Sequence, residues 1–320
     1  MITRELIIQL QEITAPDRVR EKEILASHAS FRTGGPADLF IQVSDREELQ
    51  KVMDLLAQAQ TDVFLLGRGT NLLIGDGGYR GAVVTMCAPA GTETALSGVR
   101  IDGNVIHAGA GASLLKIAMA AKDAGLAGFE FAAGIPGSLG GAVMMNAGAY
   151  GGEMKQVVRA VDILYPGRDF KCYSGEEMEF GYRTSRLKRE DGIVLEAEIE
   201  LQPGDRQALS DRITELAQQR RDKQPLEFAS AGSTFKRPEG YFAGKLIQDA
   251  GLKGFRVGDA QVSEKHAGFV INRGNASAAE IRRLIEEVQR IVLENSGVQL
   301  EREVILLGEF LSLLVKKKAR

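Results

Sequence analysis

Residues 131–152 run without a single charge and contain seven glycines, Pro136 and Asn146. The run is long enough to test as a membrane span, but that much glycine together with a proline excludes a stable apolar helix. The segment offers instead a backbone with few Cβ atoms, able to lie flat against a large, partly apolar ligand. Ser138, Asn146 and backbone amides would supply the sparse polar contacts such a pocket needs. The plainer alternative is a glycine-rich hairpin or a crossing of closely packed strands. The whole chain carries 37 glycines against 8 prolines, well above the usual glycine share of about 7%. Much of the backbone must therefore approach something closely.

The rest of the composition is that of a globular chain. With 44% hydrophobic and 26% charged residues, disordered, collagenous and disulfide-scaffold classes are excluded. The length of 320 residues suits two or three lobes. Forty basic and 43 acidic residues, a formal charge of −3, leave no basic stripe for nucleic acid. The cluster Lys316, Lys317, Lys318 and Arg320 reads as a solvated tail. Residues 1–20 lack the apolar block and cleavage site of a signal peptide. A cytosolic protein with no membrane or nucleic-acid partner is expected. Cys87 and Cys172 stand alone and the three histidines (His28, His107, His266) are scattered, so no metal or redox motif is expected.

Periodicity divides the chain into an α+β arrangement of three lobes. Residues 1–30 read as a helix and an irregular lead-in. Strands at 38–43, 63–66 and 82–85 flank a helix that Ser44 and Glu47 open as a capping box, a small βαββ lobe. A second lobe holds a strand at 105–108, a helix at 113–122 ending near Gly125, and strands at 157–164 and 193–201. Pro203-Gly204 marks a boundary. The third lobe has an amphipathic helix at 205–222, a second capping box at Ser277 and Glu280 opening a helix to Gly297, and a strand at 303–307.

Five segments carry candidate chemistry. Gly67-Arg-Gly-Thr-Asn71 follows a strand, and its amides with Thr70 and Asn71 could wrap a pyrophosphate. It lacks the third glycine and the helix of a dinucleotide fingerprint and the Lys of a P-loop, so alone it is better read as a tight turn. The stretch at 134–152 is the second, and two such loops about 70 residues apart suggest a long cofactor held from two sides. Gly181-Tyr-Arg-Thr-Ser185 places an arginine beside aromatic and hydroxyl groups, suited to a carboxylate, although a surface ion pair is the commoner explanation for such an arginine. Ala231-Gly-Ser-Thr-Phe-Lys-Arg-Pro238 offers Ser233 as a proton donor to a carbanion or as a turn residue. In Leu300-Glu-Arg-Glu-Val-Ile-Leu-Leu-Gly308, period-2 alternation puts Glu301, Glu303, Ile305 and Leu307 on one face. If Ile305 and Leu307 face the core, burial would raise the Glu303 carboxyl toward an acid role; a solvated strand-end glutamate is the alternative.

Taken in order, eight motifs resemble the UDP-N-acetylenolpyruvoylglucosamine reductase (MurB) family of peptidoglycan synthesis. They are His28-Ala-Ser-Phe-Arg-Thr-Gly-Gly-Pro-Ala-Asp38, Gly67-Arg-Gly-Thr-Asn71, the 134–152 stretch, Tyr182-Arg-Thr-Ser185, Ala231-Gly-Ser-Thr-Phe-Lys236, Gly244-Lys-Leu-Ile-Gln-Asp-Ala-Gly251, Lys265-His-Ala-Gly-Phe269 and Leu300-Glu-Arg-Glu303. The family's extra Tyr-bearing loop is absent, as in its shorter subclass. Ala29, Arg68 and Arg237 depart from residues frequent in the family.

The resemblance implies a two-lobed FAD-binding domain of the vanillyl-alcohol-oxidase/PCMH type, with lobes at 1–102 and 103–203. A C-terminal α+β substrate-binding domain at 204–308 and a tail at 309–320 complete it. It implies FAD as cofactor, NADPH as hydride donor, and UDP-N-acetylglucosamine enolpyruvate as the substrate reduced to UDP-N-acetylmuramate. Arg183, Ser233 and Glu303 would be catalytic. Gly67, Gly69, Thr70, Asn71, Gly134, Pro136, Gly137, Ser138, Gly140, Asn146 and Gly148 would hold the flavin, and Tyr182, Lys245 and Gln248 the substrate. A flavin oxidase of the same architecture and a non-catalytic nucleotide-sugar binder are the alternatives. The Arg, Ser and Glu argue against both.

Overall fold

The computed structural model describes residues 2–165, 167 and 170–311. The basic cluster at 316–320 and most of the expected tail lie outside the described residues. The chain divides into two units, each made of separate pieces. Unit 1 comprises Met1–Arg20, Leu39–Arg68 and Gly81–Arg220; unit 2 comprises Glu21–Asp38, Gly69–Arg80 and Arg221–Arg320. The observed class is α+β, as the periodicity requires.

Unit 1 has two cores. In the first, helices Arg4–Ile13 and Arg46–Gln58 cover a sheet ordered Val19–Glu21, Ala37–Gln42, Tyr79–Thr85, Val63–Leu65. Leu10, Leu49, Val52 and Leu56 meet Leu39, Ile41 and Val84 there. The helical cap falls one residue later than the sequence pattern places it. Asp45, not Ser44, accepts the amide of Glu48 at 2.9 Å, and Ser44 is drawn instead to the Glu48 carboxylate at 2.8 Å.

The second core lies under a five-stranded antiparallel sheet ordered Phe170–Ser174, Val158–Leu164, Ile193–Glu200, Val105–Gly109, Val99–Asp102. Alternation is clean along its middle. Ala197 and Ile199 point inward with Ile106 and Ala108, while Glu196, Glu198 and His107 share the other face. Helix Leu114–Ala124 is capped by Ser113 and closed by the left-handed Gly125, residues whose preferences for those places are local. Within 134–152 a short helix does form, Leu139–Met145. Two glycines weaken it, but Ala142 and Val143 are buried and packing supplies what propensity lacks. Helix Arg206–Lys223 lies largely in unit 1, whose boundary falls at Arg220 rather than at Pro203-Gly204. The guanidinium of Arg220 bonds the Gly134 carbonyl, 86 residues away.

Unit 2 is organised by helix Ala278–Ser296, which buries Ile281, Leu284, Ile285, Val288 and Val292. The Ser277–Glu280 capping box is present, and Asp76 adds a second cap, accepting from the amides of Ala278 and Ala279 at 3.0 Å each. Strands Arg256–Val257, Ala260–Val262 and Val270–Asn272 form a small antiparallel sheet. Strand Ile305–Leu307 pairs in parallel with Leu72–Ile74. No described helix is long and apolar enough to cross a membrane.

Asn272 ties three parts of unit 2 together. Its buried amide donates to the Phe31 carbonyl at 2.9 Å, and its oxygen accepts from Gly274 and Ala276 at 2.8 and 3.0 Å. Removing the side chain strands buried backbone groups, each worth about 1–3 kcal/mol. Asn272→Ala should therefore lower stability by about 3 kcal/mol, read as an earlier urea midpoint. An unchanged midpoint would show that this amide does not hold the loop.

Candidate functional site

Gly67 and Ser138, one from each glycine-rich segment, meet inside unit 1. Gly67 follows strand Val63–Leu65, and a Cβ added there would collide with the Ser138 hydroxyl. An alanine at 67 fits only if that hydroxyl swings away. Ser138 is buried and begins helix Leu139–Met145, whose first amides are fixed by Ala112 and Ala110 at 2.9 and 2.8 Å. Beneath the junction burial pushes the Cys87 thiol up, with the Thr85 hydroxyl, Arg68 and Ser138 pulling the other way. The thiol is a neutral wall.

Gly134 and Gly141 bear on whether a flavin fits here. Neither has positive φ. A Cβ at Gly134 would meet only Arg220 Cδ, and one at Gly141 only Ser138 Oγ, both at an ordinary 3.5 Å. The protein's own packing does not demand glycine at these two places, so the missing side chains leave room for something else. Bare backbone at these places is compatible with a flavin, which Gly67, Ser138 and Gly141 would hold, and the neutral thiol and few polar groups would suit its apolar parts. Pro136 is exposed, Gly137 and Gly140 are half-buried, and Gly148 belongs to a two-stranded ribbon with Gly152–Glu153.

Asn146 closes that same short helix in left-handed conformation. Its side chain is 2% exposed. It donates to the Gly181 carbonyl and the Glu153 carboxylate at 3.0 Å each, and accepts from the Lys155 amide at 2.9 Å. Both amide hydrogens are engaged within unit 1.

Arg183 sits on a tight turn. Gly181 and Thr184 exchange backbone hydrogen bonds of 3.1 and 3.3 Å, leaving Tyr182 and Arg183 as the loop. Arg183 has φ +54°, a conformation that glycine or asparagine takes more readily and that costs another residue about 1–2 kcal/mol. Its guanidinium lies 5.4 Å from the centre of the exposed Tyr182 ring.

Unit 2 brings Ser233 and Glu303 onto neighbouring segments. Residues 233–236 run between two others. On one side Ser233 bridges Phe269, and Thr234 donates to Gly268 at 2.9 Å. On the other, the Glu303 amide donates to the Thr234 carbonyl at 2.9 Å and the Lys236 amide to Glu301 at 2.8 Å. Ser233 is exposed while Thr234 is fully buried.

The expected face of Glu303 is not the observed one. The strand starts at Ile305, which is 37% exposed, and Val304 is the buried residue at 3%. Pairing of 301–303 with 234–236 turns the chain before the ladder with Leu72–Ile74 begins. The burial argument for Glu303 therefore lapses, although its place beside the Ser233 segment does not. Asn71 anchors it: its side-chain amide donates to the Glu303 carbonyl at 3.0 Å, and its own carbonyl accepts from Ile305 at 3.0 Å. Gly69, φ +63°, packs so tightly on His28 that no Cβ fits, and Thr70 is half-buried between them.

Lys245 and Gln248 lie exposed on helix Ala243–Asp249, with Lys245 paired to Asp249 at 2.8 Å. Sequence reasoning gave no role to two residues near these segments. His266 Nδ1 accepts from the Gly268 amide at 3.1 Å, its ring lies edge-on to Phe269, and burial pushes its pKa down, so it is neutral at pH 7 with the proton on Nε2. Its signal was the Lys265–Phe269 motif itself. Arg220, which fixes Gly134, gave none.

Known proteins resemble the chain along its length. Residues 37–167 match the family described as "FAD binding domain", and residues 224–307 match "UDP-N-acetylenolpyruvoylglucosamine reductase, C-terminal domain". The UDP-N-acetylenolpyruvoylglucosamine reductase of Caldanaerobacter subterraneus subsp. tengcongensis is 47% identical over 95% of this chain and 98% of its own. That of Clostridioides difficile is 44% identical over 97% and 100%. The crystal structure of the Thermus caldophilus enzyme superposes with a TM-score of 0.75 at 35% identity, covering 90% of this chain and 99% of that one. With near full-length likeness to these proteins and a match to the FAD-binding family over its first half, the chain belongs to the UDP-N-acetylenolpyruvoylglucosamine reductase family of FAD-containing oxidoreductases.

Proposed function

We infer that the chain reduces the enolpyruvyl ether of UDP-N-acetylglucosamine to UDP-N-acetylmuramate, with NADPH as the donor and FAD as the carrier. The observation that carries the reading is Arg183, held on its strained turn at the far end of the helix that begins at the glycine cradle. Strain of this kind persists where function requires the geometry. Near full-length likeness to reductases of that name supports the same conclusion.

A bound flavin would supply two-electron hydride chemistry between NADPH and the terminal alkene carbon of the substrate. Residues 1–203 would hold the flavin, through the 67–71 loop and Gly134, Pro136, Gly137, Ser138, Gly140 and Gly148, and residues 204–308 would hold most of the substrate. Arg183 binds the substrate carboxylate and stabilises the negative charge that develops there as an enolate forms. Ser233 gives its hydroxyl proton to the enolate carbon, and its exposure leaves the hydroxyl open to reprotonation from solvent. Glu303 helps to orient the carboxylate, and Tyr182, Lys245 and Gln248 contact the nucleotide sugar, the latter two near its diphosphate. The product is a cell-wall precursor, which would link the reaction to cell shape and division, and the NADPH and UDP-sugar reactants favour a cytoplasmic location.

The test is an anaerobic titration followed by visible absorption. NADPH should bleach the flavin bands, and UDP-N-acetylglucosamine enolpyruvate should restore them without oxygen. Bands that never bleach, or that return only with air, would point to an oxidase instead. A colourless protein that cannot be reconstituted with FAD would overturn the flavoenzyme reading altogether.

A further inference from the structure

Arg183 occupies a backbone conformation that its own side chain does nothing to favour, so the surroundings must impose it. Both legs of its turn are pinned, and both pins reach the same last turn of helix Leu139–Met145. Before the loop, the Gly181 carbonyl accepts from Asn146 Nδ2 at 3.0 Å; after it, Ser185 Oγ donates to the Met144 carbonyl at 2.8 Å. Asn146 and Ser185 are 2% and 1% exposed, so neither bond competes with water. The second amide hydrogen of Asn146 goes to Glu153 and its oxygen to the Lys155 amide, which prevents the side chain from turning away. Asn146 also takes the left-handed position that ends the helix.

Resting on the reading of Arg183 given above, we propose that Asn146 is a positioning residue for Arg183, assisted by Ser185, and not a flavin contact. The helix that starts at Ser138 against Gly67 spans only seven residues, about 10 Å. It therefore fixes the backbone from which the Arg183 side chain springs relative to Ser138 and Gly67. Substrate reduction needs that placement. Reduction of the flavin by NADPH involves no developing charge at Arg183 and does not need it.

Asn146→Gly tests this, because glycine keeps the left-handed cap while removing the amide. In the flavin-loaded enzyme, reduction by NADPH should stay within about twofold. Reoxidation by UDP-N-acetylglucosamine enolpyruvate should slow by about ten- to a hundredfold, the range a displacement near 1 Å produces. Ser185→Ala, which leaves the cap untouched, should show the same split to a smaller degree. The double variant Asn146→Gly/Arg183→Ala should be no slower than Arg183→Ala alone, since one residue acts through the other. Additive losses would overturn the proposal, as would normal reoxidation in both Asn146→Gly and Ser185→Ala, or equal slowing of both half-reactions with loss of bound flavin. Normal reoxidation in Arg183→Ala itself would instead remove the role of Arg183, and the proposal with it.

Discussion

Ser233→Ala should leave flavin reduction by NADPH within about twofold of the parent and slow reduction of the enolpyruvyl substrate by about a thousandfold. The size is that of a positioned proton donor, which contributes 10²–10⁴, or about 4 kcal/mol at the middle of the range. The structure makes the substitution clean. Ser233 is exposed, and its backbone bridges Phe269, a contact alanine keeps. The buried hydroxyl in this segment belongs to Thr234, which accepts from the Val270 amide at 3.0 Å, and it is untouched. Stopped-flow traces of the two half-reactions separate the outcomes. Equal slowing of both, with FAD still bound, would remove Ser233 from the proton-donor role.

Arg183→Ala should spare flavin reduction in the same way and slow the substrate step by about 10²–10³, the loss that follows removal of one donor to a developing oxyanion. A second variant guards against mistaking a damaged turn for a lost charge. Glycine suits φ +54° better than arginine or alanine does, so Arg183→Gly should keep the Gly181–Thr184 turn while losing the guanidinium. Both variants should be equally slow. An active Arg183→Gly would show that the turn, and not the charge, matters.

Local signals account for what the sequence made legible. Helix Ala278–Ser296 was readable because Ser277, Glu280 and Gly297 announce its ends within one turn. Strand Ile193–Glu200 was readable because its alternation reflects one buried face. At Ser44 and Asp45 two adjacent capping residues compete, and the Glu48 carboxylate, which the local pattern does not weigh, decides between them. At Glu303 the outcome depended on residues 234–236, whose pairing periodicity cannot reveal.

The site followed the same division. Residue types and motif order pointed to Arg183, Ser233 and Glu303. That Ser233 and Glu303 lie on neighbouring segments, that Arg183 is left-handed, and that Asn146 and Asn71 are engaged in holding other residues are tertiary facts. The Asn71 bond alone joins groups 232 residues apart, and an arginine carries no sign in its letter that its φ is positive.

The parallel pairing of Leu72–Ile74 with Ile305–Leu307 sets a timetable for synthesis. At about 5–20 residues per second, the first strand leaves the ribosome roughly 10–50 s before its partner exists. All three of its residues are buried in the finished protein, so during that interval they present a bare apolar edge of the kind that invites pairing with another chain. Unit 2 therefore closes only once residues 305–307 have been made. A nascent chain stalled before residue 305 would carry an open apolar seam, whereas the helix at residues 114–124 and the strands around it have long since been able to fold.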